Sequence, residues 1–129
     1  MATADTDQTV RINRQVKAHL DAADRELMVS DTVKSSAELG AAVRLAAVLT
    51  LKHRGLPHET DSDIFESIKV LDEQEKAKGA ILLKYGAASS FRDNASHDYM
   101  ELEEFLFCRP AATEFADCMQ DLLDGATQC

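Results

Sequence analysis

The sequence predicts an all-α protein, a bundle of four to five helices in up-and-down order. Three observations carry that prediction. Only 5 Gly and 2 Pro punctuate 129 residues, too few turn formers for many short strands. Apolar residues recur at steps of three and four along most of the chain. No stretch alternates apolar and polar residues for a useful length, and no internal repeat or low-complexity tract interrupts the pattern.

The elements follow in order. Residues 1–8 are expected as a flexible tail, 9–125 as one helical domain, and 126–129 as a short C-terminal tail. A first helix starts at Thr9, with Ile12, Val16, Leu20, Ala23 and Leu27 on one face. Ser30 or Asp31 supplies the N-cap of a second helix over Thr32 to His53. From Leu39 onward that helix is apolar nearly all round, so it is expected at the centre. Gly40 costs helix propensity there, and its use is the close approach of a neighbouring helix. Gly55 fits the position after the helix end, and Pro57 follows it.

Asp61 or Ser62 is expected to cap a third helix carrying Ile64, Phe65, Ile68 and Leu71. Its end, 72–78, is highly charged and expected on the surface. A fourth helix begins near Gly79 with Ile81, Leu82, Tyr85 and Ala88 on one side. A short apolar segment at 102–107 precedes a last helix, whose first turn suits Pro110. Phe115, Cys118, Met119, Leu122 and Leu123 give that helix its apolar stripe.

Composition narrows the function. Of the chain, 45% is hydrophobic and 29% charged, as in a globular domain. The net charge of −9 is uneven: residues 1–60 carry 8 basic and 8 acidic groups, and 61–129 carry 6 and 15. That balance excludes a protein that coats DNA or RNA through a basic face. Cys108, Cys118 and Cys129 have no metal-ligand or redox spacing, and free thiols in a reducing compartment are expected. The first nine residues lack the basic and apolar blocks of a signal peptide. The most apolar stretch, 41–51, contains Arg44 and is too short to span a bilayer. A cytoplasmic protein without membrane contact is expected, with neither metal nor cofactor.

The chemistry-bearing segment is Phe91-Arg92-Asp93-Asn94-Ala95-Ser96-His97-Asp98-Tyr99. On an ideal helix, five residues turn by about 500°, so Arg92 and His97 point about 140° apart. To meet one ligand, the backbone bends between them or the site is shared. Asp93, Asn94 and Ser96 suit a bend or cap. Arginine neutralises phosphoryl oxygens with a planar fork of donors, and histidine moves protons near neutral pH. A second Arg-xxxx-His pair, Arg14 and His19, lies within the first amphipathic helix and reads as surface.

The segment resembles the HEPN superfamily of small helical-bundle proteins. Arg92-Asp93-x-x-x-His97 matches the Arg-(Asn/Asp/His)-x-x-x-His motif of its ribonuclease members. Tyr99 matches the extended Arg-xxxx-His-x-Tyr motif of the toxin branch paired with minimal nucleotidyltransferases (HepT). The apolar second helix, the Arg-Gly-Leu-Pro-His turn at 54–58 and the Asp-Ile-Phe-Glu-Ser-Ile run also look like small archaeal relatives. The resemblance implies a metal-independent endoribonuclease acting as a homodimer on an RNA substrate. His97 would then be general base or acid, and Arg92 would stabilise charge on phosphorus. Asp93 would orient the site, and Asn94 or Ser96 would hold phosphate. Two copies of the motif would form one cleft across the dimer. The resemblance further implies a nucleotidyltransferase-type antitoxin that adds AMP at Tyr99.

One departure opens a second reading. Asp93, Asp98, Glu101, Glu103 and Glu104 surround the motif with charge that repels RNA. A non-catalytic HEPN-like dimer, binding a nucleotide or protein partner, tolerates Arg92 engaged by a carboxylate such as Asp98 or Glu101. A helical scaffold with an accidental motif requires Arg92 and His97 apart and solvated. Other constellations are weaker. His53, Arg54 and His58 around the Gly-Leu-Pro turn suit a helix end better than an anion site. His53 and His58 with Glu59 and Asp61 have no helix register for holding a metal. Ser35, Ser36, Ser89 and Ser90 lack a nucleophile elbow.

Overall fold

In the computed structural model the backbone is described from Ala2 to Gly125, and side chains from Arg14 onward. Six helical segments follow one another: α1 (Ala2–Met28), α2 (Thr32–His53), α3 (Asp61–Gln74), α4 (Ala80–His97), α5 (Leu102–Cys108) and α6 (Pro110–Leu123). Arg109 keeps helical dihedrals (φ −51°, ψ −43°), so α5 leads almost directly into α6. Pro110 has no N–H to donate and separates them. The result is the predicted all-α bundle, with α5 as a short lead-in to the last long helix.

α2 is its axis and packs against α1, α3, α4 and α6. Leu39, Ala42, Val43, Ala46, Ala47 and Leu51 are all buried, because small residues let four neighbours close in. Polar groups of this helix find partners: Ser35 Oγ donates across to Ala23 O of α1 at 2.8 Å, and Thr50 Oγ1 to Ala46 O one turn back at 3.0 Å. Asp31 caps the helix by accepting from Lys34 N at 2.9 Å. Gly55, at φ +71°, takes the left-handed position after its end, as the sequence indicates.

Gly40 meets the predicted close neighbour. A Cβ there would stand 3.4 Å from the backbone N and Cα of Arg92. α2 and α4 therefore pass close to each other at the motif itself, with room at position 40 for little more than a methyl group.

Several expectations change. α1 begins at Ala2, ahead of Thr9; alanines and early acidic residues favour a helix start at 2–8. The side chain of Ile12 and the tail 126–129 lie outside the described residues. The N-cap of α3 is Thr60, which accepts from Asp63 N and completes a capping box. Phe65 is half-exposed, with the Lys69 ammonium 4.6 Å from its ring centre. Of the apolar segment before α6, only Phe105 is buried, edge-on to Phe91 at 5.5 Å.

The charged end of α3 is not all surface. Asp72 is 7% exposed and accepts from Gly79 N, Ile81 N and Leu82 N at 2.8–3.1 Å. The α4 N-cap, Gly79, has no side chain, so Asp72 does that work from the neighbouring helix. Cys108 is free, whereas Cys118 is disulfide-bonded and corrects the expectation of a free thiol there. Sequence spacing does not report which thiols meet in space. Among the described residues no helix is long and apolar enough to cross a membrane.

Candidate functional site

α4 runs without a break from Ala80 to His97, so no bend brings Arg92 and His97 together. Their directions differ by about 140° around the helix. Arg92 turns toward α2 and α3. His97 ends the helix on the exposed side, and Asp98 (φ +46°, ψ +55°) ends it in the left-handed conformation that Asp tolerates.

Arg92 is engaged by a carboxylate, but by neither of the two near it in sequence. Its Nη1 lies 2.6 Å from Asp61 Oδ1. Arg44 Nη1 donates to the same oxygen. Three helices therefore converge on one atom: Arg44 from α2, Asp61 from the first turn of α3, and Arg92 from α4. All three side chains are substantially exposed, Arg92 at 59% and Asp61 at 60%. Tyr85 stands two helical turns before Arg92 on the same face, its ring 5.4 Å from that of Phe115.

The electrostatics follow from this contact. The Arg92 guanidinium holds Asp61 below the usual 3.8, against some desolvation, and Arg44 adds to the lowering. Asp61 in turn raises the Arg92 pKa beyond the usual arginine value, through their hydrogen bond. Burial raises the Tyr85 phenol above 10.0, as does Asp61, while Arg44 and Arg92 oppose the shift. Because the Asp61 value is depressed in the folded protein, its small surface contribution is full above 3.8. It fades as pH falls through the lower folded value. A carbon-detected NMR titration is expected to place the Asp61 midpoint below 3.8, and Arg92→Gln to return it toward 3.8. An unchanged midpoint in the variant would show that the pair does not form in solution.

The other motif residues separate into two groups. Asp93, Ser96 and His97 are exposed. Asn94 is fully buried: its Nδ2 donates to Ser36 Oγ at 2.7 Å, and its Oδ1 accepts from Met100 N at 2.7 Å. The expectation that Asn94 holds phosphate is thus corrected, because both ends of its amide bind protein. Tyr99 is half-exposed, and its hydroxyl donates to Ser90 O at 3.3 Å. Beyond His97, Tyr99, Leu102, Leu106 and Phe107 are exposed, Phe107 at 86%. Leu102 and Leu106, one turn apart, share a face of α5.

Arg44 and Asp61 escaped the sequence reading as partners of the motif. One signal existed: Arg44 is the sole charge in the apolar stretch 41–51. The remaining candidates are structural. His19 Nδ1 bonds Glu38 Oε2 at 2.7 Å. Arg54 pairs with Glu75 at 2.6 Å, and Ser67 Oγ donates to Pro57 O at 2.7 Å, so the Gly-Leu-Pro turn is stapled to α3. His58 bonds Leu56 O at 3.0 Å. Among the described residues no group of three or more His, Cys, Asp or Glu could hold a metal ion. Two apolar grooves of about 270 and 350 Å³ line the α1–α6 side, and no motif residue borders either. No protein-family model, no curated protein and no solved structure matches this chain.

Proposed function

We propose that the chain is a HEPN-type metal-independent endoribonuclease working as a homodimer, as in the toxin of a toxin–antitoxin pair. The observation that carries this reading is the Arg92-Asp93-x-x-x-His97-x-Tyr99 motif with all four of these side chains exposed. The wide angle between Arg92 and His97, which a helical scaffold also allows, fits a site shared between two copies. On one straight helix the two point too far apart to serve one phosphate from a single copy. A second copy supplies the missing group, and the exposed apolar residues of α5, which follows His97 in the chain, offer it a surface.

In the composite cleft, His97 takes the proton of the ribose 2′-hydroxyl. The freed oxygen attacks phosphorus, and the 5′-oxygen leaves with a proton. A 2′,3′-cyclic phosphate and a 5′-hydroxyl result, with no water consumed. Arg92 stabilises the extra negative charge on the phosphoryl oxygens. Exposed Asp93 and Ser96 flank the two. Tyr99, with its hydroxyl near the surface, is accessible to a nucleotidyltransferase, and an AMP group there would block RNA by bulk and charge.

The Asp61–Arg92 pair favours a second reading, a non-catalytic dimeric module that binds a nucleotide or protein partner. RNA cleavage in EDTA separates the two. Wild-type protein is expected to leave 2′,3′-cyclic ends, and His97→Ala to cut more slowly by about a hundredfold or more. A folded dimer that cuts none of a diverse RNA set belongs to the second reading.

A further inference from the structure

We infer that Arg44 and Arg92 form a clamp for a phosphoryl oxyanion, and that Asp61 is its resident occupant, displaced when the ligand arrives. The inference rests on the reading of Arg92 as a phosphate-facing residue and adds to it a second cation and a built-in competitor.

The geometry is that of an oxyanion site already filled. Two guanidiniums from different helices meet on a single oxygen, Asp61 Oδ1, with Arg92 at 2.6 Å. One carboxylate cannot neutralise both guanidiniums, and the charge of Asp93, next in the chain to Arg92, also acts on Arg92. A phosphoryl group offers three oxygens and up to two charges in place of one oxygen and one charge, and it matches arginine's fork bidentately.

The clamp is held from below. Gly40 and Arg44 are one turn apart on α2, and α2 passes the Arg92 backbone closely at Gly40. The stems of both arginines therefore start from helices fixed against each other, and little ordering entropy remains to be lost on binding. Asp61 is held by an exposed contact, at 60% exposure, and exposed ion pairs stabilise little. A competitor held by an exposed contact yields to phosphate. Tyr85, on the Arg92 face of α4, is close enough for Asp61, Arg44 and Arg92 all to act on its phenol.

The test titrates inorganic phosphate into the full chain and follows the arginine Nε–Hε signals by NMR. Asp61→Asn is expected to bind phosphate up to about fivefold more tightly than wild type. Adding Arg44→Gln to Asp61→Asn is expected to remove that gain. AMP and a 5′-hydroxyl RNA, titrated next, separate a terminal phosphate from a phosphodiester; a gain with either supports the clamp. No gain in Asp61→Asn, or a gain that survives Arg44→Gln, overturns it. Melting curves accompany each titration, and Asp61→Ser replaces Asp61→Asn if the latter unfolds. The outcome is independent of cleavage. A phosphate gain without RNA cleavage retires the ribonuclease and keeps the clamp, and cleavage without the gain does the reverse.

Discussion

Asn94→Ala is expected to destabilise the protein by about 3 kcal/mol and to lower its melting temperature by roughly 10 °C. The side chain is fully buried and uses both ends of its amide. Its Nδ2 reaches across to Ser36 on α2 at 2.7 Å, and its Oδ1 receives the Met100 N–H at 2.7 Å. It thus ties the last turn of α4, and the turn leaving it, to the central helix. Alanine removes both bonds, strands the Met100 N–H away from water, and opens a small cavity. Each stranded group costs roughly 1–3 kcal/mol. Ser96→Ala, two residues on at an exposed position, is expected within about 0.5 kcal/mol of wild type. Urea unfolding of the pair checks this: the Asn94→Ala midpoint should fall at unchanged slope. Equal midpoints in the two variants would return Asn94 to the list of ligand-facing residues.

The contrast between Asn94 and Ser96 shows what the sequence discloses and what it hides. Both sit in one polar run between apolar helices, and composition treats them alike. Helical rotation separates them: two residues turn the helix by about 200°, which puts Asn94 inward and Ser96 outward. The fold class and the central place of α2 were legible, because small and aliphatic residues all round a helix admit burial from every side. Gly40 was legible as a point of close approach, though not its partner, since nothing local names a residue on another helix. The Asp61–Arg92 contact is hidden for the same reason. Local reasoning weighed Asp98 and Glu101, while the fold brings in a carboxylate from the start of α3. Asp72 misled in the other direction. A charge inside a charged run reads as solvated surface, and only the glycine at the head of α4 hinted that those N–H groups needed an outside acceptor.

Asp72→Ala carries the second large effect, a loss of about 3 kcal/mol with the damage centred on α4. One buried carboxylate accepts from Gly79 N at 2.8 Å, Ile81 N at 2.9 Å and Leu82 N at 3.1 Å. Alanine leaves these donors without it at the positive end of the helix. Amide exchange at Ile81 and Leu82 is therefore expected to accelerate more than at Ala46 in α2. Asp72→Asn, with one acceptor oxygen and no charge, is expected to fall between wild type and alanine. Uniform acceleration across all helices would mean that Asp72 stabilises the bundle without a special hold on α4. The same helix also carries Asp61, eleven residues earlier and about 16 Å away along the axis. Arg92 lies twelve residues beyond Ala80, about 18 Å along α4. α3 therefore grips α4 at two points of matching separation, one buried and one exposed. The buried carboxylate fixes where α4 begins, and the exposed one can let go of Arg92 without disturbing that register. On this account Asp72→Ala unfolds the protein earlier, whereas Asp61→Asn leaves its melting point within about 2 °C of wild type. A ligand that displaces Asp61 would then meet an α4 already held in place by Asp72.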